Sequence, residues 1–131
     1  MQHMIFSYCL ARALGRGVGL NMQRIVIPEN YVHTRTTPFW TKKTAPVSIW
    51  QRHLDAGTRQ GVYPRLSVTQ GAIRYYGYTD ETSPEPVEML TIEVGEFGVF
   101  PPEKWHKIEA LFDDTVFNID FFVDPRILIE D

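Results

Sequence analysis

Apolar and polar side chains alternate with a period of two through most of the chain beyond residue 24, the signature of strands with one buried face. Tyr63–Thr69 and Ala72–Tyr78 are predicted partners across a turn at Gln70 and Gly71. Val87–Val94 alternates, Phe97–Phe100 follows a turn at Gly95, and Thr115–Val123 is the most strand-like run of all. Arg24–Val32 begins as a short β-branched run and turns at Pro28, Glu29 and Asn30, and Ser48–Leu54 adds a further predicted strand closed by Asp55, Ala56 and Gly57. Between them lies a threonine-rich stretch interrupted by Pro38 and Pro46, read as extended edge structure. Strands at such regular spacing, with turn residues between them, predict an all-β sandwich or barrel without internal repeats or a domain boundary.

One stretch breaks the rhythm. From Gly95 to Glu109 a strand is stopped by Pro101 and Pro102, which remove two backbone donors, and alternation resumes at Trp105 and His106. The acidic, proline-bearing segment from Thr79 to Pro86 reads as a solvated loop. Residues 1–21 carry no acidic side chain and end near a glycine-rich GRGVGL run. They are expected to be an N-terminal extension, loosely held or with a short helical turn, ahead of one domain spanning 22–131. That glycine run has neither the preceding strand nor the following helix of a nucleotide-binding fingerprint, so no nucleotide cofactor is expected.

Composition narrows the function classes. A length of 131 residues suffices for one core, and a net charge of -3 argues against a nucleic-acid partner. No apolar run is long enough to span a bilayer. The single cysteine, Cys9, excludes an internal disulfide framework and a cysteine-rich zinc site, and fits a reducing, cytoplasmic setting. No serine stands in a glycine-elbow context.

Taken together, the segments PENYVHTRTTPFW, RHLDAGTRQGVYPRLSV, VFPPEKWHKIEA and DDTVFNIDFFVDP resemble the TehB/YeaR-like family of small cupins, over roughly residues 22 to 127. Gly95, Pro101 and His106 also stand at the spacing of the second cupin motif, with Glu103 where that pattern has glycine. The resemblance implies a double-stranded β-helix, a jelly-roll barrel whose mouth holds a ligand or a metal. It also implies a link to tellurite, nitrate or stress responses. Some lineages fuse such a domain to an S-adenosylmethionine-dependent methyltransferase; this chain is too short to include one.

Cupins of this kind draw metal ligands from two motifs. Here the first is degraded, with Gly57–Gly61 reading GTRQG, so a Zn²⁺ or Fe²⁺ site would combine His53 and His106 with a carboxylate such as Glu103 or Asp120. Arg52, Arg65 and Arg74 fall in predicted strands, where a guanidinium inside a barrel needs a carboxylate or an anionic ligand. Arg74 reads better as an exposed or salt-bridged residue, and His33 as a surface anchor. Tyr63, Tyr75 and Trp105 are candidate pocket walls with polar tips. Asn118 and Asp120 share one face of the last strand, so Asp120 is a ligand residue only if that face looks inward. Three functions follow: a small-molecule or oxyanion-binding domain, a metal-dependent oxygenase or isomerase, and a docking module for a separate methyltransferase. A homodimer is expected for a barrel of this size.

Overall fold

A computed structural model describes residues 25–54, 61–101 and 104–126 of the chain. Among the described residues seven strands run β1 (Val32–Thr36), β2 (Val62–Gln70), β3 (Ala72–Gly77), β4 (Glu88–Glu93), β5 (Phe97–Val99), β6 (His106–Ala110) and β7 (Val116–Val123). They form two antiparallel sheets, one in the order β1-β7-β2-β5 and the other β4-β3-β6. The all-β class is therefore as predicted. Hydrogen bonding does not close the described strands into a barrel.

Period-two burial is cleanest in β2, where Val62, Pro64, Leu66 and Val68 are buried and the residues between them are not. Leu66 and Val68 join Ile73, Tyr75, Leu90 and Ile92 from the facing sheet in the core, with Phe117 and Ile119 of β7. The chain changes sheet at Gly71, between β2 and β3, and again at Gly95, between β4 and β5. Both glycines adopt positive φ, 75° and 83°, which a side chain would resist.

The predicted Pro-Glu-Asn turn is present, and one predicted strand is replaced. Pro28 and Tyr31 close a turn within Arg24–Val32, the Tyr31 amide donating to the Pro28 carbonyl at 3.0 Å, and the first strand begins only at Val32. Ser48–Leu54 contains no strand: Val47–Trp50 is a single 3-10 turn. Pro46 fixes its entry at φ -57°, and its carbonyl accepts the Ile49 amide at 3.1 Å, so the backbone curls before a ladder can form. Ile49 and Trp50 still pack on the core. The turn residues after Leu54, together with Pro102 and Glu103 and the N-terminal extension 1–21, lie outside the described residues. No described helix is long and apolar enough to cross a membrane.

Candidate functional site

His106 opens β6 and faces the interior, 7% exposed. His53 reaches it through a two-residue bridge in which each backbone amide donates to the other's carbonyl, at 2.9 and 3.0 Å. The ring centroids stand 4.4 Å apart. Each Nδ1 donates to the carbonyl two residues earlier: His53 to Gln51 at 2.8 Å, His106 to Lys104 at 2.6 Å. A carbonyl can only accept, so the neutral rings carry their proton on Nδ1 and Nε2 is the lone-pair nitrogen.

Both imidazoles line a cavity of about 270 Å³ between the sheets. Its walls include Leu66, Phe100, Ile108, Ile119 and Phe121, which makes it an apolar chamber with its polarity gathered at a few points. The other polar points are Ser48 and Arg35. Strict alternation along β1 would put Arg35 on the same face as His33. A bulge between these two residues shifts the register, so His33 pairs with Phe122 while Arg35 pairs with Phe121. Its guanidinium lies 4.5 Å from the centre of the Phe121 ring. The only sign of the bulge in the sequence is the weak alternation of the threonine run.

Tyr75 supports the site from below. It stacks on Phe100 with centroids 4.2 Å apart and on His106 at 5.7 Å. Burial, reinforced by the nearby charge of Glu88, pushes its phenol far above the ordinary value of 10.0. A group that holds its proton more tightly when folded contributes stability below pH 10.0 and loses it as the pH rises further. Unfolding free energy should therefore fall above pH 10.0, and Tyr75→Phe should flatten that decline in alkaline denaturation curves.

The remaining sequence candidates lie elsewhere. Arg52 donates through Nη1 to the carbonyls of Asp80, Glu81 and Ser83 at 3.4, 2.8 and 2.8 Å, and covers the Tyr78 ring at 3.5 Å. It thereby fastens the acidic loop to the segment carrying His53. Arg65 and Asp120 are register partners on the outer face of their sheet, 3.4 Å apart. Arg65 lies between Phe97 and Phe122, with ring-centre distances of 5.4 and 4.9 Å. Burial works against the Asp120 charge, but hydrogen bonds from Thr36 and His33 and the adjacent Arg65 hold its carboxyl below the usual range. Arg65 also borders a smaller recess of about 150 Å³ under residues 25–31. Tyr63 packs edge-on against Tyr31. Arg74 donates to Thr91 at 3.1 Å. Trp105 is half-buried, its carbonyl accepting the Tyr78 amide.

The residues expected to hold a metal are thus partly together. His53 and His106 adjoin; Asp120 belongs to the opposite face of the sheet, and Glu103 lies outside the described residues. Among the described residues no three His, Cys, Asp or Glu side chains form a metal-binding group. The imidazole pair itself fits two positions of a Zn²⁺ or Fe²⁺ site, because carbonyl-anchored Nδ1 atoms are the usual outer support of metal-bound histidines.

Comparison with known proteins agrees with this architecture. The Escherichia coli K-12 protein YeaR is 66% identical over 104 residues, covering 79% of this chain and 87% of that one. A crystal structure of an E. coli K-12 protein, also 66% identical, superposes with a TM-score of 0.75 over 77% of this chain and 98% of its own. The probable S-adenosyl-L-methionine-dependent methyltransferase TehB of Haemophilus influenzae is 29% identical over 85 residues, 65% of this chain but 28% of that protein. The crystal structure of H. influenzae TehB shares the fold at a TM-score of 0.63 and 23% identity, over 72% of this chain and 32% of that one. Residues 35–119, which carry Arg35, His53 and His106, match the TehB-like domain family, and the chain belongs to that family.

Proposed function

We propose that this chain binds a small molecule with an apolar body and an anionic end in the cavity between its sheets. The observation that carries this reading is the convergence of Arg35, His53 and His106 on one chamber whose other walls are apolar except for Ser48. Arg35 supplies a permanent positive charge; the imidazoles supply directional hydrogen bonds. The chamber, at about 270 Å³, lies at the lower end of ligand-site sizes and suits a ligand smaller than a typical drug. The fold reading that accompanies this is a cupin-type jelly roll. It is supported by the way successive strands after β1 change sheets, with β3 and β4 the exception.

The test is titration of the full-length protein with short-chain carboxylates, nitrate and tellurite, followed through the imidazole and Arg35 side-chain resonances. At least one of these probes should shift all three residues together. Arg35→Gln should weaken that probe by about 10-fold, the loss of one charge-assisted contact of 1.5 kcal/mol or so. Shifts confined to Arg65 and Asp120, or none at these three residues, would contradict the reading.

A second reading is favoured by the paired Nδ1 anchors: His53 and His106 hold a divalent metal that assists ligand binding. When bound, such an ion would supply a Lewis-acid contact for the ligand's oxygen atoms. The chain's own contribution is to hold both rings in the tautomer that presents Nε2. Elemental analysis of untagged protein should find stoichiometric Zn or Fe that is lost in His106→Ala, whereas metal retained in that variant would rule this site out.

A further inference from the structure

The carbonyls that orient the two imidazoles belong to Gln51 and Lys104, neither of which lies in a strand. Gln51 is held by its own amide, which donates to the Ser48 carbonyl at 3.2 Å. The Lys104 side chain reaches an acidic partner: Nζ lies 3.1 Å from Glu88 Oε1, and the Glu88 side chain is only 13% exposed. Glu88 gets there through an open position in the sheet. Gly77 is the register partner of both Glu88 on one side and His106 on the other. Register partners share a face, so the three form one row on the inner surface. With no side chain at the centre of the row, the Glu88 carboxylate leans over Gly77. A Cβ built there would lie 2.8 Å from Oε1 and 3.1 Å from the Tyr75 hydroxyl oxygen.

We infer that the Glu88–Lys104 ion pair is a positioning device for His106: it anchors the Lys104 backbone, whose carbonyl sets the ring's proton on Nδ1 and its direction into the cavity. A partly buried pair of this kind is poor evidence of added stability, since desolvation offsets the attraction. Orientation of a neighbouring functional group is a role that its placement does explain. Removing such outer support typically costs a histidine site 10- to 100-fold in affinity for metal. The inference rests on the imidazole pair being a ligand contact, but its primary readout does not depend on any ligand.

The experiment compares full-length wild type with Glu88→Gln, Lys104→Met and Lys104→Arg by ¹⁵N imidazole spectroscopy, with Zn²⁺ alone as the binding probe. Wild type should show His106 in the Nδ1–H form. Glu88→Gln and Lys104→Met should mix its tautomers and weaken Zn²⁺ by about 10-fold, leaving the His53 tautomer unchanged, and Lys104→Arg should restore both values. A lower melting temperature with an unchanged His106 tautomer in the first two variants would overturn the inference and leave the pair purely structural. Should wild type take up neither Zn²⁺ nor anions, the ligand-site reading fails, while the tautomer comparison still decides this one. If Glu88→Gln does not fold, Lys104→Met carries the same comparison without touching the inner row.

Discussion

Phe117→Ala should lower the unfolding free energy by about 3–5 kcal/mol, enough to leave a domain of this size largely unfolded in mild denaturant. The ring is fully buried in β7 and meets Trp40 and Trp50 edge-on, with centroids 6.1 and 5.8 Å away. Its backbone also exchanges both hydrogen bonds with Trp40, at 2.7 and 3.1 Å. Phe117 therefore ties the non-strand segment 40–50, one wall of the cavity, to the sheet beneath it. Urea melts monitored by tryptophan fluorescence would measure the loss. A change under 1 kcal/mol would mean that the neighbouring rings close the gap without strain, contrary to the packing described.

Gly71→Ala should cost about 2–4 kcal/mol, combining a left-handed backbone with the disruption of a buried hydroxyl. Gly71 has φ 75°, and an added Cβ would lie 2.9 Å from the Cα of Thr115 and closer still to its Oγ1. That hydroxyl donates to the Ala72 carbonyl at 3.3 Å and accepts the Phe112 amide at 3.3 Å, joining the β2–β3 corner to the turn before β7. Backbone cannot move aside as the end of a flexible side chain can. Thermal melts of Gly71→Ala beside Thr115→Val would separate the two contributions: the valine should show only the lost hydrogen bonds. Equal losses in the two variants would mean that the left-handed backbone adds nothing.

The strands were legible because a half-buried strand writes its geometry directly into the sequence as alternation. The same rule misread Ser48–Leu54. There Ile49 and Trp50 supply the apolar positions of a strand, but Pro46 starts a 3-10 turn that buries them by curvature. Two of the four connections that change sheet were visible as glycine turns, although a hairpin within one sheet and a corner between two look alike at Gln70-Gly71.

The site was legible only in part. His53 and His106 could be paired in advance because His106 stands at the spacing of the second cupin motif and His53 lies on a neighbouring predicted strand where the first motif is degraded. Arg35 could not, because a one-residue bulge in β1 reverses the face it occupies and the weak alternation of the threonine run does not place it. Arg65 and Asp120 were readable as polar residues on strands but neither as each other's partner nor as residues of the outer face, since alternation fixes which side chains agree and not which side is in. Glu88 and Lys104 were beyond reach altogether: their relation to His106 depends on a three-strand register across Gly77 that no local pattern encodes.

The central claim is that both imidazoles look into an apolar chamber between two sheets. Methyl-labelled NMR of the full-length protein tests it most directly, through cross-relaxation between ring protons and assigned methyl groups. The His53 and His106 rings should both show contacts to the methyls of Leu66, Ile108 and Ile119, the cavity walls they share. Rings that exchange freely with water and show no contact to any of these methyls would contradict it.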